Sequence, residues 1–229
     1  MNKIEQTFRN IEKNLKRTSI ARLGGFRPPQ NPTISWFGGQ GVGSFGEVLP
    51  QYQGKNMFVL LQVNVTELPY APESLNDTKL LVVFLNREQI PFNRKHGEGW
   101  LIKEYRSLEG LQPLPASNDK EMVRPFPIHW ELSESDAPCW ETACNIIDMK
   151  AINESEVASD LFFEKYTNYS GTKIGGWPTE IQHFVGNEEN EFVFQIGSEG
   201  KSNWQWLDGG VGYFFKDRND EWVFECQFY

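Results

Sequence analysis

Histidine is scarce in this chain: only His96, His129 and His183 occur. None falls in an H-x-x-x-H or H-E-x-x-H spacing, so no helical zinc motif is offered. Cysteine is equally sparse. Cys139, Cys144 and Cys226 are odd in number and lack C-x-x-C spacing, which argues against a disulfide framework or a metal cage. No metal and no cofactor is implied. No run of roughly 18 apolar residues exists, so no helical membrane span is expected. Residues Met1 to Gln6 lack the apolar stretch of a secretory signal. These absences lead to the expectation of a soluble protein of a reducing cytoplasm. There is no G-x-S-x-G nucleophile turn. A Cys–His pair such as Cys139 with His129 could meet in space, but no local pattern supports it. No catalytic residue is assigned.

Positive charge is also short. The chain has 22 basic and 31 acidic side chains, a net charge of -9. Such a surface repels phosphate backbones, which excludes a general nucleic-acid binder and suits a basic protein partner. By contrast, 17 Phe, 8 Trp and 7 Tyr accompany 20 Gly and 13 Pro. That mixture favours many short strands joined by tight turns.

One pattern occurs twice. Leu23-Gly24-Gly25, with Pro28 nearby, precedes an apolar strand holding Gln62 and a second strand at Leu80 to Phe84. Ile174-Gly175-Gly176-Trp177-Pro178 precedes an apolar strand holding Gln195 and a second strand at Val211 to Phe215. The first copy carries a longer insertion. No Pro/Ser-rich linker separates the copies. Residues 1–229 therefore read as one domain of two related halves, about 20–90 and about 170–229. The fold expected is α+β, mainly antiparallel, with an N-terminal helix and two further short helices.

Ile4, Phe8, Ile11 and Leu15 line one face of a helix over residues 3–17, and Lys13 to Arg17 would sit at its negative end. Residues 38–43 are Gly-rich, but no Lys-Ser or Lys-Thr follows and no strand leads directly in. A phosphate loop is excluded, and Gly38 to Gly46 reads as an exposed loop or lid. Strands are expected at 57–65, 79–85, 99–106, 121–132 and 221–229, with Pro125 and Pro127 assigning 121–132 to an edge or bulge. Asp136 can cap a short helix reaching Ile147. Val157, Leu161, Phe162 and Tyr166 mark the inward face of a second.

Gln62 and Gln195 stand inside apolar strands. A buried amide is costly unless bonded, so each is expected to hold backbone in a bend made by a Gly pair. Gly175 or Gly176 to Val should then destabilise the fold, and the same change at Gly41 should do little. Trp177, Gln182, His183, Trp206 and Asp208 combine aromatic and polar groups near Gly pairs, as a cleft between the halves would. The acidic runs Glu188 to Glu191 and Asp217 to Glu221 read as solvated turns.

The segments Leu61-Gln62-Val63-Asn64, Lys173-Ile174-Gly175-Gly176-Trp177-Pro178, Phe194-Gln195-Ile196 and Asp208-Gly209-Gly210-Val211-Gly212-Tyr213 resemble the YwqG-like family, a bacterial domain of unknown function. The resemblance covers roughly residues 20–216. Pro28 falls one place later than in the family's usual Gly-Gly-x-Pro, and Leu207 stands where Gly is usual. The resemblance implies a single β-rich α+β unit. It also implies a toxin–immunity context, in which the chain binds and neutralises a cognate secreted toxin domain. Acidic residues offered to such a partner are Glu131, Glu134, Asp136, Glu154, Glu156, Asp160 and Glu164. The alternative is a small-ligand protein, or an enzyme of unassigned reaction, using the cleft.

Overall fold

Short apolar strands pair in sequence-distant combinations to build one large sheet. The computed structural model describes residues 2–116, 121–186 and 189–229. After helix α1 (Lys3–Glu12) come β1 (Lys16–Leu23), β2 (Trp36–Phe37), β3 (Val42–Gly43), β4 (Gln51–Tyr52), β5 (Lys55–Asn56) and β6 (Phe58–Asn64). Then follow β7 (Leu80–Leu85), β8 (Trp100–Tyr105), β9 (Gln112–Pro113) and β10 (Phe126–Asp136). Helices α2 (Trp140–Ile146), α3 (Lys150–Asn153) and α4 (Glu156–Lys165) precede β11 (Lys173–Gly175), β12 (Glu191–Gly197), β13 (Val211–Lys216) and β14 (Trp222–Gln227).

Ten strands form a sheet in the order β14-β13-β12-β11-β1-β10-β2-β6-β7-β8, with antiparallel neighbours. The central pair is β1 with β10, from Lys16↔Asp136 to Leu23↔Ile128. On each side a short strand leads into a three-stranded meander. The leading strands are crossed: β1 lies beside β11, and β10 beside β2. Both meanders carry an irregularity just before their Gln, at Val59/Leu61 and at Phe192/Phe194. A bulge there adds local twist and re-aims the following side chains.

The sheet curls so that its two end regions meet. Glu104 of β8 bonds Trp222 Nε1 at 2.9 Å and Lys216 Nζ at 3.0 Å. Trp100 packs edge-on against Phe214 and close to Phe224. One apolar cluster therefore joins both meanders, from Leu61 and Val83 to Phe194 and Phe224. A second cluster, with Ile11, Ala143, Ile152 and Phe162, holds the helices together.

Several elements differ from the sequence reading. Helix α1 stops at Glu12, and Lys16 and Arg17 begin β1, so they do not face a helix end. Strand β10 is interior, not an edge. Pro127 is tolerated because it is the second residue of the strand, and its carbonyl still accepts from Gly24 N at 2.9 Å. Asp136 ends β10, and Cys139 is the residue preceding α2. Residues 38–46 are not wholly an exposed loop: Val42 is buried, and β3 pairs with β9. On α4, Ala158 and Phe162 face inward, while Val157 and Leu161 face solvent.

Candidate functional site

Gln62 and Gln195 occupy the same place in their meanders. Gln62 pairs with Trp36 and Val82; Gln195 pairs with Lys173 and Tyr213. Gln62 Nε2 donates to the carbonyls of Pro32 and Ile34 at 2.9 and 2.7 Å. Gln195 Nε2 donates to those of Tyr169 and Gly171 at 3.4 and 2.9 Å. Each Gln thus holds the segment that enters its short strand. Ser35 Oγ and Thr172 Oγ1 add a second matched bond, accepting from Asn64 N and Gly197 N. By this register the Gly pair matching Gly175–Gly176 is Gly38–Gly39, because Phe37↔Leu61 corresponds to Ile174↔Phe194. Gly24–Gly25 instead ends β1. All six glycines have φ between 70° and 89°, where L side chains are strained.

The oxygens of the two amides fare differently. Gln195 Oε1 accepts from Thr179 N at 2.9 Å. Gln62 Oε1 is buried and, among the described residues, has no partner. Gln62 lines a cavity of about 590 Å³, walled by Trp36, Met57, Phe58, Val59, Met122 and Val123, with Gln40, Arg87 and Glu121 supplying polar groups. Arg87 is tied by its Nε to the carbonyl of Asn56 at 3.1 Å. A few polar groups set in apolar walls are what small-ligand sites present.

The matching region of the second meander is filled. Lys173, which pairs with Gln195 as Trp36 pairs with Gln62, is fully buried and bonds Asp136 Oδ2 at 2.8 Å. Asp136 also accepts from Trp177 N and Tyr169 N at 2.8 and 3.1 Å. Burial pushes the Lys173 ammonium below its ordinary value, and Asp136 opposes that shift. Beside them, Glu180 accepts from Thr142 Oγ1 and Val185 N, and burial raises its carboxyl. Burial also pushes the Cys139 thiol up to about 11. A thiol held neutral is a poor nucleophile. His129 lies near the opposite end of β10, roughly 20 Å along the strand from Asp136, so it does not meet Cys139.

Of the five residues read as a cleft, Gln182, His183 and Asp208 gather around the chain's last residues, where Phe228 O accepts from Gln182 Nε2, Gln227 Nε2 donates to His183 O and Tyr229 N donates to Asp208 O, while Trp206 and Trp177 lie elsewhere. Trp206 is fully buried against Trp204 and Phe224. Trp177 donates through its indole to the carbonyl of Asn14 and lies under Lys16 Nζ. Gln182 binds the carbonyl of Phe228, His183 pairs with Glu225 at the surface, and Asp208 is exposed in a turn. Of the acidic residues, Asp136 is buried and cannot meet a partner. Glu131 and Glu134 form exposed pairs with Arg22 and Arg17. Glu154, Glu156, Asp160 and Glu164 are exposed on or beside α4. Of the acidic runs, Glu188 lies outside the described residues. Among the described residues, no three His, Cys, Asp or Glu side chains cluster as metal ligands.

The cavity wall went unrecognised in the sequence. Its signal is Trp36-Phe37-Gly38-Gly39, an apolar pair before Gly-Gly that parallels Lys173-Ile174-Gly175-Gly176 more closely than Leu23-Gly24-Gly25 does.

No curated protein matches the sequence. Residues 35–221, which run from just before β2 to just before β14 and include both Gln62 and Gln195, match a family model. That match covers most of the chain, which therefore belongs to the family described as Domain of unknown function (DUF1963).

Proposed function

We infer that this protein acts by binding another protein, and that its partner is a cationic domain seated on the outer face of α4. The supporting observation is the composition of that face. Val157 and Leu161 are 79% and 43% exposed; Phe163, on another side of the helix, stacks on Trp140. Val157, Asp160, Leu161 and Glu164 follow the i, i+3, i+4, i+7 spacing of one helix face. Apolar side chains within an acidic rim are suited to a partner with an apolar centre and basic surroundings. The net charge of -9 would speed that encounter. Under the YwqG-like resemblance, the partner is a secreted bacterial toxin domain, bound one-to-one in the cytoplasm and blocked without catalysis.

Co-expression with a toxic domain encoded beside this gene tests the reading. Growth rescue and a one-to-one complex on gel filtration are expected. Val157→Lys with Leu161→Lys should abolish both while leaving the fold intact, since both side chains are exposed. Absence of rescue and of a complex with the unaltered protein would end this reading.

The two meanders also read as copies of one duplicated unit, β1-β2-β6-β7-β8 and β10-β11-β12-β13-β14, with the leading strands exchanged. The matched Gln clamps, bulges and Gly pairs support this. A superposition in which Gln62 and Gln195 failed to coincide would remove it.

A further inference from the structure

We propose that the cavity beside Gln62 binds a short uncharged peptide segment in extended form, whose backbone N–H is accepted by Gln62 Oε1. Matched strand register and the unequal bonding of the two amide oxygens support this binding, independently of common descent and of the α4 surface. Gln62 and Gln195 hold corresponding positions, and each spends its Nε2 on two carbonyls of the entering segment. Only the second has its oxygen satisfied.

The donor in the second meander is backbone. After Gly175–Gly176 the chain continues as Trp177-Pro178-Thr179, and Thr179 N reaches Gln195 Oε1 at 2.9 Å. After Gly38–Gly39 it continues as Gln40-Gly41 into β3, which pairs away with β9. Among the described residues no donor reaches Gln62 Oε1, and Gln62 is 1% exposed. The space left is the cavity of about 590 Å³.

An acceptor buried without a donor is a standing cost, and a ligand N–H placed there recovers it. The walls suit the rest of such a segment. Trp36, Met57, Phe58 and Val123 offer apolar surface of the kind that takes an aromatic and a proline ring. The cavity volume is within the range of small-ligand sites.

The probe is N-acetyl-Trp-Pro-Thr-amide, a copy of the segment that serves Gln195, titrated into the full chain by calorimetry and by 15N-resolved NMR. Saturable binding is expected, with shifts at the Gln62 side-chain amide and the Trp36 indole. The same peptide methylated on its Thr nitrogen should bind about tenfold weaker or worse, the loss of one buried hydrogen bond. Gln62→Met would remove the acceptor but also the clamp, so it can fail by unfolding. Gln40→Trp keeps the clamp: Gln40 is exposed, follows its Gly pair as Trp177 follows the other, and gives up only its side-chain bond to the Leu114 carbonyl. This variant should fold normally, fill the cavity and lose binding. Absence of saturable binding to the unaltered protein would overturn the proposal. So would binding that survives N-methylation, which would mean that water serves Gln62, or binding that survives Gln40→Trp.

Discussion

Replacing Asp136 by alanine should bring the protein close to unfolding. Its carboxylate is 2% exposed and serves three donors: Lys173 Nζ at 2.8 Å, Trp177 N at 2.8 Å and Tyr169 N at 3.1 Å. Lys173 is 0% exposed. Breaking a buried ion pair from one side costs about 3–5 kcal/mol, because the remaining charge keeps its desolvation penalty. Each backbone N–H left without an acceptor adds about 1–3 kcal/mol. Water entering the space vacated by the side chain offsets part of this, so a net loss of about 4–6 kcal/mol is expected. A domain has only about 5–15 kcal/mol to lose. In urea, with a slope of about 2–3 kcal/mol/M, the midpoint should fall by about 2 M. Lys173→Met should cost less, about 1–2 kcal/mol, since Asp136 keeps two backbone donors. Combining Asp136→Ala with Lys173→Met should be milder than the sum of the single changes by about 2 kcal/mol or more. A loss below about 1 kcal/mol for Asp136→Ala, or strict additivity in the cycle, would refute a dry, coupled pair.

The glycines and a histidine give further tests. A Cβ on Gly176 would overlap Asp136 Oδ2 and stand 3.0 Å from Thr18 Cβ, and one on Gly41 would stand 2.7 Å from Val59 Cγ2. Gly41→Ala should therefore cost about 2–3 kcal/mol and Gly176→Ala more, while Gly25→Ala, with open space around it, should cost only about 1 kcal/mol of left-handed strain. The sequence reading that Gly41 tolerates substitution fails because its φ is +70° and Val59 is close. His96 Nε2 accepts from Ile102 N at 2.8 Å, and burial holds its pKa below the ordinary histidine value. The nearby Lys216 acts in the same direction, and Glu104, Glu221 and the Ile102 backbone oppose it. With the folded value depressed, the unfolded chain takes up the proton first as pH falls below about 6.5, so stability drops in that window. Urea midpoints at pH 7.5 and 5.5 should differ less for His96→Gln than for the unaltered protein. An unchanged difference would mean that His96 is not the group responsible.

Legibility varied from element to element for physical reasons. Strands β6, β7, β12 and β13 could be read because they are buried along most of their length, so nearly every position is apolar. Strand β1 could not. Its Thr18 and Ser19 are fully buried, yet their hydroxyls bond the carbonyls of Ile174 and Tyr70, partners far away in sequence. A polar stretch whose satisfaction lies that far off reads as surface. Asp136 misled in the same way, as a helix cap and partner contact, because nothing near it in sequence announces Lys173. On α4, Phe162 and Tyr166 were rightly placed inward, but Val157 and Leu161 are turned about one position away from that face.

The sequence alone determined the local matters: short antiparallel strands, the two buried glutamines, and the approximate places, though not the ends, of the helices expected over 3–17, from Asp136 to Ile147 and around Val157 to Tyr166. Each rests on composition or periodicity within a few residues, which short-range sterics and burial translate directly into backbone. The tertiary structure decided which segments met. It crossed β1 and β10 between the meanders, and made Gly38–Gly39 rather than Gly24–Gly25 the counterpart of Gly175–Gly176. It drew Trp206 into the core and Trp177 to Asn14, away from Gln182, His183 and Asp208, and left Gln62 facing a cavity where Gln195 meets Thr179. Those outcomes depend on strand pairing across more than a hundred residues. That pairing is settled by which apolar faces and hydrogen-bonding groups can be satisfied together, and no local pattern records it.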